Sequence, residues 1–180
     1  CDETGGDYFD FMNLDENRTA FVIGDVSGHG MGAALLMASG RANLRALLTV
    51  KSDLKEVVER LNDLLGEDMD EDKFMTLFLG CLDHRCHTVN FVNAGHDQPV
   101  FYSPSRDLLA ELDTTGTPLG MFTGWEYELG EEIDMRAGDL LVLSTDGVWE
   151  ARNSEREFFG KKRLCEILRS NATKPVEEIV

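Results

Sequence analysis

The chain has 180 residues, with 17 Lys and Arg against 34 Asp and Glu, for a formal charge of −17. A field of that sign repels phosphodiester backbones and anionic lipid, which excludes nucleic acid and membrane surfaces as partners. The densest basic run, Lys161-Lys162-Arg163, is three residues long. Hydrophobic residues make up 42% of the chain, enough for a real core, and the length suits a single domain over residues 1–180. No apolar run approaches the roughly 18 residues that would span a bilayer. The four cysteines (Cys1, Cys81, Cys86, Cys165) show no secreted disulfide spacing, and no signal peptide precedes them, so reduced thiols in a cytoplasm are expected.

Residues 7–14 and 19–25 read as two strands joined by the polar turn Asp15-Glu16-Asn17-Arg18, a β-hairpin. The second strand is nearly all apolar, as in a strand covered on both faces. Residues 31–49, rich in Ala, Leu and Met, predict a long helix. Residues 54–65 predict a second one: Leu54, Val57, Val58, Leu61, Leu64 and Leu65 keep the helical period. Asp53 with Glu56 reads as its capping box and Gly66 as its stop. After an acidic loop, 74–82 and 88–93 form a second hairpin around 83–87. Further strands are expected near 99–103, 108–112, 126–133 and 139–145, with a turn at Ala137-Gly138-Asp139. A helix over 160–170 should turn Leu164, Ile167 and Leu168 inward. Strands, two helices, many strands and a final helix, without regular alternation, describe an α+β fold with antiparallel sheets. There is no initiator Met, and the apolar Val176, Ile179 and Val180 open a helix too short to stand alone. Both ends therefore read as cut.

Three aspartates stand at expected strand ends beside glycine. Asp7 opens a strand in Gly5-Gly6-Asp7. Asp25 closes one in Ile23-Gly24-Asp25-Val26-Ser27-Gly28-His29-Gly30, and Asp146 closes another in Ser144-Thr145-Asp146-Gly147. Asp-Gly alone is ordinary turn chemistry. Carboxylates and carbonyls on neighbouring strand ends, however, suit hard cations such as Mg²⁺ or Mn²⁺.

Other signals are weaker. Gly28-x-Gly30-x-Gly32 fits neither nucleotide-loop spacing. Asp68, Asp70 and Asp72 begin like a Ca²⁺ loop, but Lys73 and Leu79 stand where Gly and Glu are required. Cys81, His84, Cys86 and His87 are zinc-type residues without zinc spacing. His29 could position a phosphate or a water; a loop-stapling role suits His96, and Trp149 reads as a partly buried anchor.

Four stretches taken together resemble the metal-dependent serine/threonine protein phosphatases (the PPM, type 2C superfamily). The closer resemblance is to the bacterial stage II sporulation E-type branch that regulates sigma factors. They are Glu3-Thr-Gly-Gly-Asp-Tyr-Phe-Asp-Phe11; Gly24-Asp-Val-Ser-Gly-His-Gly-Met-Gly-Ala-Ala-Leu-Leu-Met37; Phe74-Met-Thr-Leu-Phe78 with Val92-Asn-Ala-Gly-His-Asp-Gln-Pro99; and Gly138-Asp-Leu-Leu-Val-Leu-Ser-Thr-Asp-Gly-Val-Trp-Glu-Ala-Arg-Asn153 with Phe159-Gly160. The resemblance implies a β-sandwich of two antiparallel sheets flanked by helices. It implies two Mn²⁺ or Mg²⁺ ions, with Asp7 bridging, Asp25 and the Val26 carbonyl on one metal and Asp146 on the other. It further implies that a metal-bridged hydroxide hydrolyses phosphoserine or phosphothreonine. The implied substrate is a phosphorylated anti-sigma factor antagonist of the STAS type, under the control of an upstream sensor or receiver domain. The family's terminal Asp-Asp strand and its first strand do not occur within residues 1–180. The alternative is a catalytically silent module of the same fold that binds a phosphoprotein or partner.

Overall fold

The computed structural model describes residues 5–69 and 72–179. Cys1, Glu3 at the head of the first motif, Asp70 of the acidic loop and Val180 lie outside the described residues. In chain order the strands and α-helices are Tyr8–Asn13 (β1), Arg18–Val26 (β2), Met31–Val50 (α1), Leu54–Asp68 (α2), Met75–Asp83 (β3), Thr88–Ala94 (β4), Val100–Ser103 (β5), Leu108–Glu111 (β6), Ile133–Asp134 (β7), Leu140–Val142 (β8), Asp146–Trp149 (α3) and Lys161–Asn171 (α4). They fall into two compact units: residues up to His96 with Asp113–Asp134, and Asp97–Leu112 with residues from Met135 onward. No helix among the described residues is long and apolar enough to cross a membrane.

The first unit is built on an antiparallel sheet of order β1-β2-β3-β4-β7. Its first hairpin turns where the sequence predicts. The Asp15 carboxylate accepts from the backbone N–H groups of Asn17 (2.8 Å) and Arg18 (2.9 Å), which fixes the turn. The second hairpin uses the same device, Asp83 accepting from Arg85 N–H at 2.7 Å and Cys86 N–H at 3.2 Å. Side chains alternate across the sheet. On one face Tyr8, Met12, Ala20, Val22, Val26, Met75, Leu77 and Leu79 join the buried side chains of α1 and α2 in one core. The other face carries the ring stack Phe21–Phe78–Phe91, with centroids 6.2 and 5.0 Å apart. It also carries the exposed Phe9 and Phe11 of β1.

Asp53 caps α2, its carboxylate accepting from Lys55 and Glu56 N–H. Glu56 itself forms an ion pair with Lys51 rather than completing a capping box. Gly66 does not stop the helix, which runs on to Asp68. Val57, Val58, Leu61 and Leu65 are all fully buried. Each is worth roughly 1.5–3 kcal/mol, against about 1 kcal/mol lost at a mid-helix glycine, so packing decides.

The strand expected over 126–133 shrinks to β7. Among the described residues of 113–132 only Leu119 and Tyr127 are buried, and Glu126, Glu128 and Glu131 point to solvent. The segment is held by scattered hydrogen bonds instead. Leu119 and Met75 exchange both backbone bonds (3.0 and 2.8 Å), and Gly130 N–H donates to Phe91 O at 2.9 Å. Asn62 of α2, fully buried, reaches across to this segment. Its amide donates to Phe122 O at 2.9 Å and accepts from Gly120 N–H at 2.9 Å. The Tyr127 hydroxyl donates to Thr117 O at 3.0 Å; burial pushes its pKa up to about 12.

The second unit holds an antiparallel sheet of order β6-β5-β8. The strand expected over 139–145 ends at Val142. The predicted turn before it is present, closed by Asp139 N–H to Arg136 O at 2.9 Å, with Gly138 at φ +89°. In α4, Leu168 is buried as predicted, whereas Ile167 is 36% exposed. With helices accompanying two antiparallel sheets, the fold is α+β, as the sequence predicts.

Candidate functional site

The end of the first hairpin places two carboxylates together. Tyr8 pairs with Gly24 in the β1–β2 ladder. The pairing continues outward, because Val26 N–H donates to Gly6 O at 3.4 Å. Asp7 therefore stands opposite Asp25. Gly6–Val26 is the hydrogen-bonded pair, so Asp7–Asp25 is a non-hydrogen-bonded pair, the kind that brings Cα atoms to about 4.5 Å and side chains closest. Both point away from the helix-covered face that Tyr8 and Gly24 share. Glycines allow close approach on both sides of β2, from β1 at Gly6 and from β3 at Gly24. A Cβ on Gly6 would lie 2.6 Å from Val26 O, and one on Gly24 would lie 2.7 Å from Thr76 O.

Like charges directly opposite in a ladder destabilise it. A hard divalent cation between them reverses that sign, and carboxylate oxygens are its preferred donors. Val26, whose carbonyl is the further donor implied by the resemblance, is the last residue of β2 and is fully buried. The donor set at this strand end therefore fits Mg²⁺ or Mn²⁺.

Neighbouring side chains brace the site. Thr76 Oγ1 lies 3.4 Å from Asp25 O and 2.9 Å from His96 Nδ1. His96 is buried, and its backbone N–H donates to Asn93 Oδ1 at 2.8 Å. This is the stapling role the sequence suggests for His96. On the helix-facing side of β1, Asp10 accepts from Tyr8 Oη at 3.0 Å and pairs with Arg45 and Arg41 of α1. Burial pushes the Asp10 carboxyl up, but hydrogen bonds from Arg45, Tyr8 and Phe11 N–H outweigh it and hold the group below the ordinary range. Burial and the Asp10 hydrogen bond both push the Tyr8 phenol up. The strand carrying Asp7 is thus tied by ions and hydrogen bonds to α1.

Asp146 belongs to the second unit. It does not close a strand: it is the first residue of the short helix α3, where a carboxylate suits the positive end of the dipole. Thr145 is the N-cap residue, and Val148 N–H donates back to Thr145 O at 3.2 Å. Asp97 and Glu150, to which sequence reasoning gives no role, lie within electrostatic range of Asp146. Burial pushes the Asp97 carboxyl up, Lys161 opposes, and Asp146 and Glu150 add to the rise. The available signal is the position of Asp97 inside the Asn93-Ala-Gly-His-Asp-Gln-Pro99 motif. Trp149 is half-buried, with Lys161 Nζ 4.6 Å from its ring centroid.

Within either unit, no three of the described His, Cys, Asp or Glu side chains gather closely enough to hold a metal ion. The zinc-type residues go elsewhere: His84 Nε2 lies 2.9 Å from Thr19 Oγ1, and Cys86 Sγ lies 3.2 Å from Thr88 Oγ1. His29 is exposed.

Two antiparallel sheets with their helices match the architecture of type 2C phosphatase structures. Residues 15–180 match the family model of stage II sporulation protein E. The chain belongs to this family, within the branch of the superfamily that regulates sigma factors. Protein IcfG of Synechocystis is 32% identical over 96% of this chain and 31% of its own length. Phosphoserine phosphatase RsbU of Bacillus subtilis is 26% identical over 99% of this chain and 52% of its own. Among solved structures, the RsbU and RsbW domains of Rv1364c from Mycobacterium tuberculosis superpose with a TM-score of 0.82 at 26% identity, over 98% of this chain and 49% of that one. The chain spans about a third to a half the length of the curated relatives it matches.

Proposed function

We propose that the chain is a divalent-metal-dependent phosphatase acting on phosphoserine or phosphothreonine in a regulatory protein. The observation that carries the reading is the opposed pair Asp7–Asp25 at the outer end of the β1–β2 ladder, in a member of a metal-dependent phosphatase family. Asp7, Asp25 and the Val26 carbonyl would hold a Mn²⁺ or Mg²⁺ ion, and family membership supports Asp146 as a further metal ligand. Such ions lower the pKa of water and offset phosphoryl charge.

The chain's own residues do the rest. The β1–β2 ladder holds Asp7 and Asp25 opposite each other, and Thr76 and His96 keep the Asp25 backbone in place. Asp10, through Arg41 and Arg45, fixes the strand that presents Asp7. No side-chain nucleophile is required, so Cys81, whose thiol burial pushes up, stays a packing residue. Family membership supports a phosphorylated STAS-type regulatory protein as the substrate. The greater length of the relatives supports a sensor or receiver domain that controls the site.

The test is phosphate release from phosphoserine, phosphothreonine and phosphotyrosine peptides, with Mn²⁺ and with EDTA. Release from the first two with Mn²⁺ only is expected. Peptide binding with no turnover under any metal would replace this reading with the silent binding module.

A further inference from the structure

The charge is unevenly distributed. The second unit holds nine of the 17 basic residues but only eleven of the 34 acidic ones. Five of those nine, Arg152, Arg156, Lys161, Lys162 and Arg163, fall within twelve residues around the start of α4, against two acids there, Glu155 and Glu157. Arg152, Arg156, Lys162 and Arg163 are exposed, and among the described residues none of them has a carboxylate partner. In a protein with twice as many acids as bases, four unpaired exposed cations in one place need a reason.

Helix stability is not the reason. Lys161, Lys162 and Arg163 are the first three residues of α4, where the helix dipole disfavours positive charge. Aromatic rings hold the cluster instead. The Arg152 guanidinium sits 4.2 Å from the exposed Phe158 ring centroid, and the Arg163 guanidinium 5.7 Å from that of Phe159. Arg152 and Phe158 are also bridged through their backbones. A ring occupies the face of a guanidinium and leaves its N–H edge for a partner, in the fork geometry that matches a carboxylate.

We propose that the strip formed by Arg152, Arg156, Lys162 and Arg163, with Phe158 and Phe159, is a docking surface for an acidic segment of a protein substrate. Charge complementarity selects that occupant. At physiological salt the screening length is about 8 Å, so a short run of Asp or Glu responds to the strip more than to the remaining negative surface. A long polyanion would extend beyond the strip into the field of a protein of net charge −17. Calling the docked segment a substrate rests on the phosphatase reading above; the docking itself does not.

The test uses fluorescence anisotropy at 0.15 M salt with three labelled probes: a phosphoserine peptide flanked by Glu, the same peptide flanked by Lys, and a single-stranded oligonucleotide. The Glu-flanked peptide should bind about tenfold more tightly than the Lys-flanked one, the sum of a few screened surface pairs. Arg152→Glu/Lys162→Glu/Arg163→Glu should invert the preference. The milder Arg152→Gln/Arg163→Gln, for use if the triple variant fails to fold, should reduce it about threefold. Equal binding of the two peptides, a preference that survives in a folded variant, or tighter binding of the oligonucleotide would overturn the proposal. Mn²⁺-dependent hydrolysis of p-nitrophenyl phosphate, which offers the strip nothing to bind, should not change in these variants. If that hydrolysis is absent while the flank preference holds, the phosphatase reading fails and the docking surface stands.

Discussion

Replacing Asn62 with Ala should loosen the irregular 113–132 segment on α2. Asn62 is fully buried, and its amide satisfies two backbone groups, Gly120 N–H and Phe122 C=O, each at 2.9 Å. Alanine deletes both bonds and opens a small void. Gly120 is half-buried and loses its partner, which costs roughly 1–3 kcal/mol. Phe122 is exposed, so water can take over its carbonyl at a cost of about 0.5–1 kcal/mol. The sum is about 1.5–4 kcal/mol, a large part of a typical domain stability of 5–15 kcal/mol. Urea unfolding followed by circular dichroism measures it, with the slope unchanged. Tyr127→Phe, which removes the hydroxyl's bonds to Thr117 O and Asn62 Oδ1 but leaves the Asn62 backbone contacts, should cost about 1 kcal/mol on the same scale. A loss below about 0.5 kcal/mol for Asn62→Ala would show that the segment is held without Asn62, by its backbone bonds and by Asp63 and Glu59, which accept from Gly124 and Tyr127 N–H.

Asp10 predicts a pH signature. Its carboxyl is held below the ordinary value, so its contribution is complete above the unfolded pKa of about 4 and is lost as pH falls through the lower folded value. The protein should therefore lose stability on acidification more steeply than Asp10→Asn; parallel curves of unfolding midpoint against pH would contradict this. Gly24→Ala should destabilise by more than an ordinary surface substitution, on the order of 2 kcal/mol or more, because its Cβ would meet the Thr76 carbonyl. Chemical denaturation measures it, and an unchanged midpoint would show that β2 and β3 can separate at no cost.

What the sequence made legible is what is local. The Asp15 and Asp83 turns and the 3.6-residue period of α2 declare themselves within a few residues, and both hairpins and the helix form where they imply. Asp7 and Asp25 are legible as strand ends, and hairpin register alone then brings them together. Gly66 misleads because a stop signal worth about 1 kcal/mol competes with the burial of Leu61 and Leu65. The 126–133 stretch misleads for the opposite reason: its place is set by Asn62 and Met75, far off in sequence, not by its own pattern. Asp146 is read as closing a strand because Leu140–Leu143 is apolar, although Thr145-Asp146 is equally an N-terminal helix signal. Asp97 shows only once folding places it near Asp146, Glu150 and Lys161.

In the proposed function, Asp7 and Asp25 together hold a cation needed for phosphoester hydrolysis. The most direct measurement compares the protein with Asp25→Asn, recording the unfolding midpoint and p-nitrophenyl phosphate hydrolysis as Mn²⁺ is titrated in. Mn²⁺ should raise the midpoint and drive hydrolysis in the unaltered protein, and Asp25→Asn should fold but lose both responses. An Asp25→Asn variant that kept the full Mn²⁺ stabilisation and turnover would contradict it.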